Sequence, residues 1–296
     1  MQEINLGNIS TDKLLHSSHA EMNVETNVLR LDKIHPLISG NKWFKLRFYL
    51  EEARNKNKKT IVTYGGAWSN HLLATAAACR MYNFSCYGIV RGEEITMLSP
   101  TLLIAKELGM QLIFINREDY RSGKIPVELN KEHYYFIPGG GYGLNGADGA
   151  ATILDYCKKD DYTHICCACG TGTMTAGLIK SSSLTQHVIS ISVVKNNYSL
   201  SDKIELISGK RKKNYEIIYD YHFGGFAKQK PVLLNFMNEF FRESAIPTDF
   251  VYTGKLFFAI NDLIRNNYFP SGSKLLLIHS GGLQGNISLN NGTLIF

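Results

Sequence analysis

Two lysines three positions apart, Lys42 and Lys45, stand where the turn Ser39-Gly40-Asn41 runs into the helix-forming stretch Lys42-Trp43-Phe44-Lys45-Leu46. That spacing puts both amines on one side of the first turn of a helix whose apolar positions are Leu46, Phe48, Tyr49 and Leu50. Cations are disfavoured at a helix start, because the unpaired N–H dipoles already make that end positive. An anion or an electrophile held at the same place would explain their presence. Positive, partly apolar surroundings also make an amine lose its proton more easily, as a Schiff-base lysine requires. On this stretch alone the plainer reading, a solvated helix face carrying two lysines, is favoured.

Three further segments carry chemistry, each a turn after an expected strand, where open α/β sheets place ligands. Gly65-Gly66-Ala67-Trp68-Ser69-Asn70-His71 puts Ser69 and Asn70 at the N-cap and first turn of a helix, with backbone N–H groups free to take a carboxylate. A simple capping motif would use the same residues. In Cys169-Gly170-Thr171-Gly172-Thr173-Met174-Thr175-Ala176-Gly177 the glycines let the backbone approach closely, and successive amides with threonine hydroxyls would cradle a phosphate. No Gly-Lys-Ser/Thr follows, as a Walker loop needs, and the glycine spacing does not fit the dinucleotide fingerprint. A monophosphate cup fits best, the plainer alternative being a tight strand-to-helix turn. His279-Ser280-Gly281-Gly282 either offers the Ser280 hydroxyl to a ring nitrogen or merely ends a strand.

The elements that must position these turns are legible as alternating β-branched runs and helical patterns. Strands are expected at 60–64, 85–90, 111–116 and 134–138, with helices at 70–81 and 100–108, before the glycine loop 139–143. A second series follows: helix 145–158, strand 163–168, helix 174–181, strand 188–194, helix 199–207, helix 231–244, helix 254–265 and strand 274–279. The pattern predicts an α/β fold of two three-layer αβα lobes with largely parallel sheets and a site in the cleft between them. With 296 residues, 44% of them hydrophobic, the chain is long enough for one large or two ordinary domains. We expect a larger domain from 1–50 plus 146–296 and a smaller one from 51–145.

The formal net charge of +6 arises from scattered lysines, with dense basic runs only at Arg54–Lys59 and Lys210–Lys213. Neither run is interleaved with aromatics as a nucleic-acid platform would be, so a small anionic ligand suits the charge better than a nucleic acid. The start, Met1-Gln2-Glu3-Ile4-Asn5, lacks a charged n-region followed by an apolar h-region, and no run approaches the roughly 18 apolar residues of a membrane span. A cytoplasmic protein is expected. Of the six cysteines, Cys166, Cys167 and Cys169 include a CxxC spacing without a second ligand pair, inside an apolar run; packing as reduced thiols is the expected role, with no metal.

Taken together, a lysine near the N-terminus, a Ser-Asn helix cap, a phosphate cup and a late hydroxyl make a pyridoxal 5'-phosphate site. At this point the chain resembles the 1-aminocyclopropane-1-carboxylate deaminase and D-cysteine desulfhydrase family, fold-type II pyridoxal-phosphate enzymes related to the tryptophan synthase β subunit. The resemblance runs from about Leu29 to Gly285, in order through Gly40-Asn41-Lys42, Lys45-Leu46, Gly65-Gly66, Ser69-Asn70-His71, Gly170-Thr171-Gly172-Thr173, Ala176-Gly177, Tyr252-Thr253-Gly254-Lys255 and His279-Ser280-Gly281-Gly282. It implies that Lys42 forms the Schiff base with the cofactor and shuttles the α-proton, and that Lys45 lies on the phosphate side with the Gly170–Thr173 amides. It implies that Asn70 partners the cofactor's 3'-oxygen. Ser69 with the Asn70 and His71 amides would hold the substrate carboxylate or stand near its reacting face, and Tyr252 would lie close to the substrate. A homodimer is the assembly the resemblance implies.

The departures bear on the substrate. The ring-opening deaminases carry a glutamate directly after the tyrosine, reaching the pyridine nitrogen; here Thr253 follows, and Ser280 is the alternative partner. A hydroxyl cannot hold a proton on that nitrogen as a carboxylate does, so the ring stays a weaker electron sink, suited to β-elimination more than to cyclopropane opening. A second family tyrosine falls on Phe226, with Tyr219 and Tyr221 as nearby substitutes; Met174 stands where a threonine is usual and Gly139 where relatives often have an acid. The expected activity is α,β-elimination on a small amino acid, D-cysteine desulfhydrase-like, giving a 2-oxo acid, ammonia and sulfide. The alternatives are 1-aminocyclopropane-1-carboxylate deamination to 2-oxobutanoate and ammonia, or binding of cofactor or amino acid without turnover.

Overall fold

A computed structural model describes residues 3–14, 19, 21–93, 97–127, 129, 133–209 and 214–296. The basic run 210–213 and the first two residues lie outside them. Strands β1 (Thr11–Leu14) and β2 (Glu25–Arg30) precede helix α1 (Asn41–Asn55). Next come β3 (Thr60–Gly65), α2 (Asn70–Tyr82), β4 (Ser85–Arg91), α3 (Pro100–Glu107), β5 (Met110–Ile115), α4 (Arg117–Ser122) and β6 (Tyr134–Ile137). The second half runs α5 (Leu144–Ala151), β7 (His164–Cys169), α6 (Thr173–Ser181), β8 (His187–Ser192), α7 (Leu200–Ser208), β9 (Tyr215–Ile218), α8 (Pro231–Ser244), α9 (Thr253–Arg265) and β10 (Lys274–His279).

Among the described residues the strands make two sheets, a six-stranded one ordered β1-β2-β10-β7-β8-β9 and a four-stranded one ordered β5-β4-β3-β6. Every strand pair is parallel except β1 with β2. Period-two burial explains why both faces are covered. In β7 the side chains of Ile165, Cys167 and Cys169 enter one core while Cys166 and Ala168 enter the other. The cysteines of the CxxC spacing therefore fill space, as their apolar context predicts. The α/β, largely parallel architecture agrees with the fold class read from the alternation.

Several elements differ from expectation. Strands β1, β2 and β9 and helix α4 were not anticipated. The helix expected over 145–158 ends as α5 at Ala151 and continues as tight turns at Thr152–Tyr156 and Lys159–Asp161. Its Thr152 hydroxyl folds back onto the Gly149 carbonyl at 2.7 Å and also receives the Arg47 guanidinium, which competes with continuation of the helix. No helix of the described residues is long and apolar enough to cross a membrane.

Helix α1 joins the lobes. Its Phe44 is buried with Leu31, Ile34, Ile153 and Met174 under the large sheet. Leu46, Tyr49, Leu50 and Ala53 of the same helix pack with Ile61, Leu72 and Ala76 under the small sheet.

Candidate active site

The start of α1 is set by a backbone junction. Gly40 has φ +62 and ψ −136, and a Cβ there would sit 1.9 Å from the Ser280 carbonyl oxygen. Only glycine permits that approach. Across it the Asn41 amide donates to the Ser280 carbonyl at 3.2 Å. Two distant parts of the chain are thereby locked together, placing Lys42 and Ser280 at one end of the cleft.

Lys42 Nζ donates to Asn41 Oδ1 at 2.8 Å and lies 5.6 Å from the centre of the Tyr252 ring. Burial lowers its pKa to about 8, with the Asp249 carboxylate pulling it back up. Lys45, one turn on, is buried, and burial reinforced by the Lys42 charge lowers its pKa to about 7. It forms no ion pair among the described residues. Tyr252 stands over the cup, since a Cβ on Gly170 would lie 3.2 Å from its ring. In the cup itself, Thr171 Oγ1 and Thr173 Oγ1 are 3.0 Å apart at the start of α6, which Gly172 caps with φ +85. Met174 turns away into the core, its sulfur accepting from Asn41 Nδ2 at 3.4 Å.

The small lobe supplies the facing wall. Ser69 caps α2, its Oγ accepting from Leu72 N at 3.2 Å, and Leu73 N bonds the Ser69 carbonyl. The Asn70 and His71 amides are left as the free donors of that helix start. Asn70 Nδ2 lies 3.4 Å from the Gly282 carbonyl, while its Oδ1 is buried without a partner. His71 directs its ring elsewhere. Thr63 Oγ1 donates to the Ile137 carbonyl at 2.7 Å, so at 2.9 Å it accepts from His71 Nε2–H. The other ring nitrogen, Nδ1, is buried and unpartnered, and burial lowers this histidine to about 3, keeping it neutral.

Sequence reasoning missed two buried charges. Asp249, fully buried, accepts from the backbone amides of Val251, Tyr252 and Thr253 at 2.9–3.0 Å and from the Thr253 hydroxyl at 2.8 Å. This carboxylate, rather than a residue at the cap itself, organises the turn that presents Tyr252. It also draws Thr253 into the cap and away from the cleft. Lys255 donates to the His222 and Gly225 carbonyls, both at 2.8 Å. An acid three positions ahead of Tyr252, just before a helix, was the available signal for Asp249. Of the tyrosines near Phe226, Tyr221 donates to Asp262 Oδ2 at 2.7 Å, and Tyr219 packs on Tyr198. Phe226 itself stands edge-on to Tyr252, ring centres 5.9 Å apart.

The family model described as "Pyridoxal-phosphate dependent enzyme" matches residues 13–281. The chain belongs to that family. It is a pyridoxal-phosphate-dependent enzyme, which sets aside binding without turnover. A Thermotoga maritima protein named for 1-aminocyclopropane-1-carboxylate deaminase is 30% identical over 271 residues, spanning 83% of this chain and 85% of the relative. The mitochondrial bifunctional D-cysteine desulfhydrase/1-aminocyclopropane-1-carboxylate deaminase of Arabidopsis thaliana is 30% identical over 280 residues, 84% of this chain and 70% of the relative. A crystal structure described as that of an ACC deaminase homologue superposes with a TM-score of 0.82 at 25% identity, covering 97% of this chain and 92% of the other. These findings agree with the family read from the motifs.

The site's own features fit pyridoxal 5'-phosphate. A buried amine without an ion-pair partner at Lys45 suits a phosphate dianion, and the orphaned amide oxygen of Asn70 marks a missing polar partner. Either amide orientation of Asn70 leaves one polar atom for a ring substituent. Both amines have lowered pKa values, and Lys42, held by Asn41 Oδ1 beside the Tyr252 ring, has the position that suits covalent attachment.

Proposed function

We propose that this pyridoxal-phosphate enzyme is a lyase that removes the α-proton of a small amino acid and expels its β-substituent. From D-cysteine and water it would release a 2-oxo acid, ammonia and sulfide. The observation that carries the reading is at the ring-nitrogen end. Thr253 is held by Asp249, whose carboxylate bonds to the Tyr252 turn, and Ser280, whose hydroxyl makes no hydrogen bond among the described residues, remains as the partner for a ring nitrogen. When bound, the cofactor supplies the electron sink that makes the α-C–H acidic. Ser280 would hydrogen-bond the ring nitrogen without protonating it, which suffices where a good leaving group carries the electron pair away.

The remaining roles follow from position. Lys42 Nζ takes the α-proton, with Asn41 Oδ1 orienting the amine. The Asn70 and His71 amides receive the substrate carboxylate at the positive end of α2, with Ser69 beside them as the cap. Asn70 partners the cofactor's 3'-oxygen, and Lys45 with Gly170, Thr171, Gly172 and Thr173 holds its phosphate. Tyr252 closes the substrate side. We assign residues 1–50 and 146–296 to a larger, cofactor-holding domain and 51–145 to a smaller one, a division supported by strand membership of the two sheets.

1-Aminocyclopropane-1-carboxylate deamination, named in both relatives, is the second reading. It calls for a proton donor where Phe226 has none and where Tyr221 is engaged by Asp262. A homodimer in the cytoplasm completes the proposal; six free thiols fit a reducing compartment, and the Arabidopsis relative's mitochondrial name marks the rival location. Sedimentation velocity reads the assembly.

The test is a visible spectrum of the purified protein followed by D-cysteine, with sulfide and 2-oxo acid assayed together. Sulfide release with a yellow cofactor band supports elimination; 2-oxobutanoate from the cyclopropane substrate without sulfide supports the second reading. Lys42→Ala should lose the band and roughly a thousandfold or more of the turnover. Unchanged activity would remove Lys42 from the mechanism.

A further inference from the structure

The loop from Tyr221 to Lys228 is bent in a way its residues resist. Phe223 and Ala227 sit at φ +52 and +53, beside Gly224 at +100 and Gly225 at +127. A non-glycine residue in that left-handed region is strained by its Cβ, so something outside the loop has to hold it. The holder is Lys255, on the first turn of α9 and 0% exposed. Its Nζ reaches the His222 and Gly225 carbonyls, both at 2.8 Å, while Gly225 N closes the turn onto the same His222 carbonyl at 3.0 Å. A buried ammonium is tolerated there because two carbonyl dipoles face it and the buried Asp249 carboxylate lies within its field.

Asp249 and Lys255 thus act on the two halves of one aromatic pair. Asp249 fixes the turn that carries Tyr252, and Lys255 fixes the loop that carries Phe226. The two rings meet edge-on, with Phe226 52% exposed and the Lys42 amine 5.6 Å from the Tyr252 ring centre. We propose that Lys255 is a positioning residue for substrate binding, acting through the loop 222–226 to hold Phe226 as the apolar wall of the amino-acid pocket. The role rests on the reading of Tyr252 as a substrate-side residue. It makes the side chain of the bound amino acid small and uncharged where it meets Phe226.

The experiment titrates small amino acids into the cofactor-loaded protein, reading the change in visible absorbance as binding and the initial rate as kcat and KM. D-Alanine, which has no leaving group, serves as a binding probe independent of turnover. Lys255→Met should retain the cofactor band and weaken amino-acid binding by about tenfold or more, the scale on which a misplaced wall affects binding. Lys255→Arg, which can still donate to both carbonyls, should recover most of it.

Phe226→Ala, an exposed change that leaves the core intact, should weaken binding similarly, and adding Lys255→Met to it should cause little further loss, since both act on one wall. Additive losses in the double variant, or unchanged binding in Phe226→Ala, would overturn the proposal even if Lys255→Met fails to fold. If no amino acid perturbs the wild-type spectrum, the elimination reading fails; if the wild type responds and the variants match it, only the role of Lys255 fails.

Discussion

The amines of Lys42 and Lys45 lie in a pocket that resists their charge. Burial lowers Lys45 from an ordinary 10.5 to about 7 and Lys42 to about 8. A lysine lowered on folding binds its proton less readily in the native state, so between the native and unfolded values the unfolded chain holds more protons. Stability of the cofactor-free protein should therefore rise from pH 7 towards pH 9, read as the urea midpoint at each pH. Above the ordinary thiol value of 9.0, buried Cys169, raised by burial, works in the opposite direction. Bound phosphate would restore the charge on Lys45, so the loaded protein should show a shallower slope. An equal slope would place both lysines away from the cofactor. Lys42, Ser69 and Ser280 were legible in the sequence because lysine, cap and hydroxyl each sit at a turn with its own signature. Asp249 and Lys255 were not, because their partners are backbone groups, which leave no residue type to recognise.

At the level of elements, α1 matters more than its composition suggests. Phe44 is wholly buried under the large sheet, while the next turn faces the small one. Phe44→Ala should destabilise the protein by about 3–5 kcal/mol in denaturant unfolding, since the cavity would open between a helix and a sheet that cannot collapse onto each other. A loss below about 1 kcal/mol would mean that this end of α1 is loosely seated. The helices and central strands were readable from periodicity and turn residues. β1 and β2 were not: Thr11-Asp12-Lys13-Leu14 carries two charges, and Glu25–Arg30 buries Arg30 against Asp12 and Asp32 at 2.9 and 2.7 Å. A strand held by a buried ion network looks like a loop in a hydrophobicity pattern. β9 is four residues long at a sheet edge, too short to establish an alternation.

For the whole molecule, the proposed cofactor contacts come from both sides of the cleft: Asn70 from the small-sheet side, Lys42, Thr173 and Ser280 from the other. Cofactor at 100 times its Kd should raise stability by about 2.7 kcal/mol, and Asn70→Ala should shrink the gain in thermal midpoint without changing that of the cofactor-free protein much. An undiminished gain would mean that Asn70 does not touch the ring. The backbone junction between Gly40 and Ser280 also ties the start of α1 to the end of β10. The Asn41 amide is fastened to Ser280 and α1 is seated in both cores, with Leu46, Tyr49 and Leu50 packed in the same core as Leu72 and Leu73 of α2. Were the two sides to part, Ser69 and Asn70 would go with α2 and Lys42 would stay with the junction to Ser280. On the proposed roles, the groups that receive the amino acid's carboxylate and the base that takes its proton would then belong to opposite sides of the cleft.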